Sequence, residues 1–206
     1  MHHKESDFRG LYFDESNHFR DPEAFVGYFS QYKEDANPVL VERYGQENNQ
    51  LPSRPGLTKL RRKDIELPRD LCNRDFRYLL LTKKDLMYIF GRKYKGIKGL
   101  EEKIKIIALS TLIRHFEPLD LLVIDGLFSG KGLYLVETLT RFALPKKVIV
   151  EPKADETYPG VNQADHIAYG LYRHHSRRRK TDGTYWQYRL KPNLDEYAEF
   201  FSRKTR

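Results

Sequence analysis

The stretch RGLYFDESNHF (Arg9–Phe19) joins a short apolar run to two adjacent carboxylates. Gly10–Phe13 has the composition of a buried strand, and Asp14 and Glu15 follow it directly. One Asp at a strand end commonly caps a turn, but two neighbouring carboxylates repel each other unless a positive charge lies close by. The sequence therefore predicts either an arginine or a metal ion beside this pair.

The length and charge of the chain limit its class. Its 206 residues suit one domain, with two small domains as the alternative. Hydrophobic residues make up 39% and charged residues 32%, which is enough for a core beneath a highly charged surface. Lys and Arg exceed Asp and Glu by 37 to 29, a formal net charge of +8. This excess suits a polyanionic partner such as nucleic acid, and a soluble lysine-rich protein is the alternative.

Cysteine content and targeting signals narrow the class further. Cys72 is the only cysteine, which excludes an intramolecular disulfide and a cysteine-based metal site. The opening MHHKESDF lacks the apolar core of a signal peptide. No uninterrupted apolar run approaches the roughly 20 residues of a membrane helix. We therefore expect a cytoplasmic protein without a membrane partner, whose oligomeric state the sequence does not determine.

The first part of the chain is rich in predicted strands. Apolar and aromatic runs bounded by turn residues are typical of strands, and KEDAN (33–37) predicts a hairpin between two of them. The polar, proline-containing stretch 46–75 predicts a loop-rich excursion. The predicted strands here are Gly10–Phe13, AFVGYFSQY (24–32), PVLVERYG (38–45) and FRYLLLT (76–82).

From residue 100 the pattern alternates between helical and strand spacing. LEEKIKIIALSTLIRHF (100–116) has apolar residues at nearly helical intervals. LDLLVIDG (119–126) is almost wholly apolar, as in a strand buried on both faces. We predict further helices at 130–144, 161–175 and 194–204, a buried strand at 146–152 and a strand at 184–191. This order predicts a single α/β domain with a mixed sheet flanked by helices.

Carboxylates stand at the ends of the predicted buried strands. Asp14 and Asp125 each end one strand, Asp155 lies in the loop after the strand 146–152, and Asp165 lies in the first turns of the next helix. Groups at the carboxyl ends of strands in an open α/β sheet gather in one crevice. If the first and central strands are neighbours, we expect Asp14 and Asp125 to face each other.

Three or four convergent carboxylates suit Mg²⁺ or Mn²⁺. Two such ions about 3.5 to 4 Å apart can clamp a phosphodiester while water attacks it. Each aspartate also has a structural alternative: Asp125 as a turn residue, Asp155 as a solvated loop residue, and Asp165 as the partner of Arg173 or of a helix N-terminus. The combination of positions, rather than any one of them, predicts a catalytic cluster.

Two segments resemble the ribonuclease H-like superfamily. YFDESNHF (12–19) is similar to the Asp-Glu-Ser-Gly opening of a large, mostly uncharacterised microbial family, although Asn17 replaces its Gly. GVNQADHIAYGLYR (160–173) resembles the late helix of that family. This resemblance implies catalytic roles for Asp14 and Asp165, with Glu15 as a further site residue.

The sequence also resembles ribonuclease HII. The opening Asp-Glu pair, the strand-end Asp125 before Gly, and Asp155 followed by Tyr158-Pro159 are similar to the acidic positions of that family. This second resemblance implies that Asp155 is the late metal ligand, whereas the first implies Asp165. Both residues remain candidates for binding Mg²⁺ or Mn²⁺ together with Asp14 and Asp125.

One departure from ribonuclease HII bears on the substrate. That family follows its acidic pair with a Gly-Arg-Gly segment that reads the 2′-hydroxyl of RNA, whereas Ser16-Asn17-His18 stands here. We therefore expect DNA, single-stranded DNA in particular, to be favoured over an RNA–DNA hybrid.

Basic residues provide candidate phosphate contacts. RHHSRRRK (173–180) is the densest positive run, and a solvated helix end is its alternative reading. SGKG (129–132) lacks the full spacing of a nucleotide-binding P-loop, which excludes a nucleoside triphosphatase of that type. Lys131 and the nearby amides could still contact a phosphate at a helix N-terminus. The predicted nucleic-acid contacts are Lys131, Arg173, Arg177, Arg178 and Arg179.

Together these features predict a divalent-metal-dependent nuclease that hydrolyses phosphodiester bonds. One alternative is a non-catalytic nucleic-acid-binding protein on the same fold, whose carboxylates cap turns. Another is an enzyme resembling a transposase or resolvase, although 206 residues leave little room for a separate DNA-binding domain.

Overall fold

A computed structural model of the chain describes residues 9–16, 23–30, 76–141, 144–176 and 186–203. The strands are β1 (Gly10–Ser16), β2 (Glu23–Ser30), β3 (Phe76–Leu81), β4 (Leu121–Asp125), β5 (Lys147–Glu151) and β6 (Arg189–Leu190). The helices are α1 (Lys83–Phe90), α2 (Leu100–Phe116), α3 (Gly130–Thr140), α4 (Pro159–Ser176) and α5 (Leu194–Arg203).

The six strands form one mixed sheet in the order β5-β4-β1-β2-β3-β6. β2 pairs antiparallel with β1 and with β3, whereas the β1–β4, β4–β5 and β3–β6 pairs are parallel. β1 and β4 are therefore neighbours, as the predicted meeting of Asp14 and Asp125 requires. The prediction of an α/β domain with a mixed sheet flanked by helices is confirmed.

Both faces of the sheet are covered, because successive side chains of each strand point to opposite sides. On one face, Leu11 and Phe13 of β1 and Leu122 and Ile124 of β4 pack with the buried side chains of α2. On the other face, Tyr12, Val123 and Tyr78 pack against α4, whose contacting residues are Val161, Ala164, Ile167, Ala168 and Leu171. Burial on both faces explains the nearly continuous apolar sequences of β1 and β4.

Helix α2 spans the predicted residues, Leu100–Phe116, and most of its length is buried. Two polar side chains on it are nevertheless almost inaccessible to solvent, Lys105 and Ser110. The Ser110 hydroxyl lies 2.7 Å from the Tyr197 hydroxyl, which joins α2 to α5. Buried polar groups need such partners, because an unsatisfied one costs about 1–3 kcal/mol.

Helix α4 approaches β1 very closely at its N-terminal end. A Cβ atom added to Gly160 would lie 2.4 Å from Cγ of Tyr12, so only glycine leaves room for the tyrosine ring. The small side chains of Ala164 and Ala168 continue this contact along the helix. The close approach places the following turns of α4, including Asp165, above the carboxyl end of β1.

Several sequence predictions differ from the structure. KKVIVEP (146–152) contains a strand, but β5 is an edge strand of the described sheet, with an exposed first residue and half-buried others, rather than a buried strand. TYWQYRLK (184–191) contains the 3₁₀ turn Trp186–Tyr188 and only the two-residue strand β6. Helix α1 was not predicted, although Thr82 and Asp85 form a capping box at its start.

Three predictions lie outside the described residues: the strand 38–45, the hairpin turn 33–37 and the excursion 46–75. The segment predicted to join that hairpin, β2, pairs in the described sheet with β1 and β3. Among the described helices, none has both the length and the apolar character needed to cross a membrane.

Candidate active site

Asp14 and Asp125 lie at the shared carboxyl edge of β1 and β4. Phe13 pairs with Ile124 in the parallel register, and the two aspartates are the next residue of each strand. Side chains in register on parallel strands point to the same face, which here is the face covered by α4. The Asp125 carboxylate is close enough to raise the pKa of Asp14. The sequence rule that strand-end carboxylates converge thus applies to this pair.

The Asp14 carboxyl is buried, with only 7% of the residue accessible to solvent. Burial is the largest cause that raises its pKa well above the usual value, because a low-dielectric environment disfavours the charged form. The neighbouring carboxylates of Glu15, Asp165 and Asp125 raise it further, in that order. The backbone N–H of Glu15 donates to Asp14 Oδ1 at 2.7 Å and lowers the pKa, but it does not outweigh the other effects.

Asp165 is the late carboxylate that acts on Asp14. It lies on α4, it is partly exposed, and its charge raises the pKa of Asp14. The packing of Gly160 on Tyr12 brings this part of α4 to the edge of the sheet. The structure therefore brings together Asp14, Asp125 and Asp165 from two strands and one helix.

Asp155 has a different environment. It lies in the 3₁₀ turn Ala154–Glu156, and the residue is completely buried, so its reading as a solvated loop residue is wrong. Its backbone carbonyl accepts a hydrogen bond from Asn162 Nδ2 at 3.1 Å, which ties the turn to α4. Asp165, rather than Asp155, raises the pKa of Asp14.

The same turn fixes the orientation of Asp125. The backbone N–H of Ala154 donates to Asp125 Oδ1 at 2.6 Å. Gly126 follows with a φ of +83°, a conformation that side-chain-bearing residues rarely adopt, and turns the chain away from β4. Asp125 therefore occupies the turn position expected of an Asp-Gly pair. The hydrogen bond from Ala154 also fixes one of its two carboxylate oxygens.

Glu15 points to the opposite face of the sheet from Asp14. Its Oε1 forms a salt bridge with Lys105 Nζ at 2.7 Å, and both side chains are about 95% buried, with 6% and 5% of their surfaces accessible. Among the described residues, the positive charge beside the acidic pair is thus a lysine of α2, whereas the sequence predicted an arginine or a metal ion. The signal in the sequence is a lone lysine between Ile104 and Ile106 in an apolar run.

Glu151 is a further carboxylate at this edge that the sequence analysis missed. It ends β5 and pairs in register with Asp125. The Tyr158 hydroxyl donates to Glu151 Oε2 at 3.3 Å, and burial together with this carboxylate raises the pKa of Tyr158. The rule that singled out Asp14 and Asp125, a carboxylate at a strand end, could have found Glu151 as well.

The predicted phosphate contacts are only partly within the described residues. Lys131 is exposed on the first turn of α3. Nearby amides are already engaged, because Ser129 N donates to Glu102 Oε1 at 2.8 Å and Gly132 N donates to Ser129 Oγ at 3.0 Å. Arg173 lies on α4, where its backbone alone is described, and Arg177, Arg178 and Arg179 lie outside the described residues.

Comparison with known proteins identifies the fold. No protein-family model matches the chain, and no curated protein matches its sequence. A solved structure of RNase HII, in a PCNA:RNase HII complex from Archaeoglobus fulgidus, matches with a TM-score of 0.53 and 17% identity over 95% of this chain and 88% of that one. The chain has the ribonuclease H-like fold.

Two other solved structures agree with this fold. Ribonuclease H2 from Pyrococcus horikoshii OT3 matches with a TM-score of 0.50 and 16% identity over 97% of this chain and 90% of that one. Bst-RNase HIII in complex with Mn²⁺ matches with a TM-score of 0.52 and 14% identity, over 82% of this chain but 53% of that one. The ribonuclease H-like fold is therefore shared at very low sequence identity.

The carboxylates of this ribonuclease H-like sheet edge have the donor chemistry of a divalent-cation site. Oxygen ligands such as those of Asp14, Asp125 and Asp165 suit Mg²⁺ and Mn²⁺. The neighbouring carboxylates raise the pKa of Asp14 in addition to its burial, and a cation would offset that part of the shift. Within the described part of the chain, no three Asp, Glu, His or Cys side chains are gathered closely enough to enclose an ion. The donor types therefore fit a divalent cation, and their arrangement in the described residues does not enclose one.

Proposed function

We propose that this protein is a divalent-metal-dependent nuclease that hydrolyses phosphodiester bonds at the carboxyl edge of β1 and β4. The observation that carries the proposal is the buried Asp14 carboxyl, whose pKa is raised first by burial and then by the carboxylates of Glu15, Asp165 and Asp125. Bringing like charges together in a buried place is unfavourable unless a proton or a cation compensates them, and the proposal assigns a cation to this place. The ribonuclease H-like fold supports the same reading of this edge.

Asp14, Asp125 and Asp165 would hold the Mg²⁺ or Mn²⁺, and Asp155 is the alternative to Asp165. When bound, the cation neutralises phosphate charge and lowers the pKa of a coordinated water. The Ala154 N–H holds one Asp125 oxygen in place, which leaves the other to rotate toward the ion. Water is the nucleophile in this proposal, so no serine or cysteine nucleophile is required.

Glu15 takes a supporting role in this proposal. Its salt bridge with Lys105 lies on the face of the sheet opposite Asp14, where it fixes the end of β1. We infer that the two residues of the acidic pair have different roles. Asp14 binds the ion, and Glu15 positions the strand that carries Asp14.

For the substrate we propose DNA, with single-stranded DNA favoured over an RNA–DNA hybrid. One feature supports this preference: Ser16-Asn17-His18 replaces the Gly-Arg-Gly segment of ribonuclease HII. The net charge of +8 suits a nucleic acid of any kind. Lys131, together with Arg173, Arg177, Arg178 and Arg179, would contact phosphates of this substrate.

A second candidate is a nucleic-acid-binding protein without catalytic activity. The structure offers two observations in its favour: Asp125 accepts a hydrogen bond from the turn at Ala154, and Glu15 is paired with Lys105. Two of the predicted site carboxylates therefore have structural partners. This candidate predicts binding that is independent of metal and unchanged when Asp14 is replaced.

A cleavage assay separates the two candidates. End-labelled single-stranded DNA, duplex DNA, RNA and RNA–DNA hybrid are incubated with Mn²⁺, Mg²⁺ or EDTA and with wild type, Asp14→Asn or Asp120→Asn protein. Asp120 is the matched control, since it lies before β4 at the opposite edge of the sheet and accepts a hydrogen bond from Arg9 N. We expect metal-dependent cleavage by wild type and Asp120→Asn, and none by Asp14→Asn. Absence of cleavage with every metal, with binding retained by all three proteins, would contradict catalysis.

A further inference from the structure

The segment between α1 and α2 carries an unusual concentration of positive charge. Residues 91–99, GRKYKGIKG, contain four basic residues and no acidic one, and we call this segment the basic connector. All four basic side chains are exposed, and none forms a salt bridge within the described part of the chain; they are Arg92, Lys93, Lys95 and Lys98. The proposed catalytic site does not use any of them.

The basic connector is held in a fixed conformation. Tyr94 is buried in the core and Ile97 packs against it, so both anchor the segment. Backbone hydrogen bonds form successive turns, from Tyr94 N to Gly91 O at 3.1 Å and from Ile97 N to Tyr94 O at 3.0 Å. The four cations therefore project from an anchored surface, and little conformational entropy of the backbone is lost when they bind a ligand.

The basic connector lies at the same edge of the sheet as the carboxylates, on the α2 side, whereas Asp14 faces α4. It leads directly into α2, which begins at Leu100, and five residues later Lys105 reaches Glu15 at the carboxyl end of β1. Five residues of helix span roughly 8 Å. Glu102, also in the first turn of α2, contacts Ser129 just beyond β4.

We propose that the basic connector binds the phosphate backbone of a nucleic-acid strand whose scissile bond lies at Asp14 and Asp125. This inference rests on the proposed function and extends it by naming the path of the strand. Successive phosphates follow at roughly 3.4 Å of rise per nucleotide in B-form DNA, so the basic connector meets the strand a few nucleotides from the bond that is cut. Exposed lysines and an arginine bind phosphates without reading the base sequence, so we propose no sequence preference for this surface.

The test compares two charge-matched double variants. Lys95→Gln/Lys98→Gln removes two charges from the basic connector, and Lys146→Gln/Lys147→Gln removes two exposed charges at the start of β5, at the opposite edge. Both are made in wild type for kinetics and in Asp14→Asn for binding without cleavage. Fluorescence anisotropy with a labelled single-stranded DNA gives the association constant over a series of KCl concentrations.

The association constant falls with salt, so the slope of log K against log salt is negative. We expect the basic-connector variant to make this slope shallower, by about 1.4 on single-stranded DNA and about 1.8 on duplex DNA. In the wild-type background it raises KM and leaves kcat nearly unchanged, because the variant removes binding and not chemistry. The β5 variant leaves slope and KM close to those of wild type. Equal salt slopes for the two variants would overturn the inference.

The outcome distinguishes this inference from the proposed function. If the basic-connector variant binds and cleaves like the β5 variant while Asp14→Asn is inactive, the nuclease proposal stands and the strand path is wrong. If wild-type protein neither binds nor cleaves any nucleic acid, the proposed function itself fails. Exposed side chains are exchanged in both variants, so their melting temperatures should stay close to that of wild type.

Discussion

Lys105 Nζ lies 2.7 Å from Glu15 Oε1, with both side chains buried between β1 and α2. The preceding residue, Asp14, faces the other side of the sheet and meets Asp125 and Asp165. The two residues of the acidic pair therefore lie in different environments. Lys105 neutralises Glu15, whereas no positive charge among the described residues acts on the pKa of Asp14.

The first prediction concerns this buried salt bridge. Lys105→Met should reduce the free energy of unfolding by about 3–5 kcal/mol, because it leaves the Glu15 carboxylate buried without its cation. Glu15→Gln combined with Lys105→Met should recover a large part of that loss. Urea denaturation of the two single variants and the double variant measures the coupling. A Lys105→Met protein within about 0.5 kcal/mol of wild type, the range of ordinary surface substitutions, would contradict the salt bridge.

The second prediction concerns the pH dependence of stability without metal. The raised pKa of Asp14 means that the folded protein binds this proton more tightly than the unfolded chain. Stability from this group is therefore fully present below the unfolded pKa of about 3.9, and it is lost as the pH rises through the folded pKa. In EDTA, Asp14→Asn should raise the melting temperature at neutral pH and remove this component of the pH dependence. A lower melting temperature of Asp14→Asn at neutral pH would count against the raised pKa.

The third prediction concerns metal binding. Mn²⁺ at about 100 times its Kd should stabilise the wild-type protein by about 2.7 kcal/mol, and Asp14→Asn and Asp125→Asn should lose this increase. Asp120→Asn is the control and should respond as wild type does. Thermal unfolding with and without Mn²⁺ provides the measurement. A Mn²⁺ response that survives both site substitutions would place the ion elsewhere.

The fourth prediction separates Asp155 from Asp165. Asp165→Asn should abolish cleavage and the Mn²⁺ response while leaving the melting temperature in EDTA close to that of wild type, because Asp165 is partly exposed. Asp155→Asn should lower the melting temperature and keep a measurable Mn²⁺ response, because Asp155 is fully buried in its turn. Calorimetric titration of both variants with Mn²⁺ distinguishes them, and the reverse pattern would make Asp155 the ligand.

The fifth prediction concerns the contact between α4 and β1. Gly160→Ala introduces a Cβ atom 2.4 Å from Tyr12 Cγ, so the helix must move away from the strand. We expect a loss of about 1–3 kcal/mol, as for other overpacked cores, together with weaker Mn²⁺ binding because Asp165 moves with α4. Gly130→Ala is the control, since its added Cβ meets nothing within 4 Å. Unchanged Mn²⁺ affinity in Gly160→Ala would show that this contact does not position the site.

The sequence predicts the parts of this fold that depend on local patterning. Helix α2 has the predicted bounds, because its apolar spacing is continuous from Leu100 to Phe116. Asp14 and Asp125 were correctly expected to meet, because each directly follows an apolar strand core and the carboxyl ends of parallel strands share an edge.

The remaining features depend on how elements pack, which local patterning does not specify. Lys105 reaches Glu15 only because the orientation of α2 about its own axis directs the Lys105 side chain toward the end of β1. Asp165 acts on the pKa of Asp14 because of where α4 lies against β1, and the close contact of Gly160 with Tyr12 is part of that packing. Glu151, by contrast, follows the local pattern of a carboxylate at a strand end, since it is the last residue of β5.

The parallel pairing of β1 with β4 also has a consequence for how the protein is made. Phe13 and Ile124 are 111 positions apart, as are Arg9 and Asp120, which a hydrogen bond joins at the other end of the pair. Contacts between such distant segments form late in folding. Bringing the two segments together costs conformational entropy of the intervening loop, and this cost comes before the contacts can stabilise the pair. A chain emerging from the ribosome therefore carries Asp14 long before it has Asp125, and the proposed nuclease activity is absent until α4, which carries Asp165, has also been synthesised.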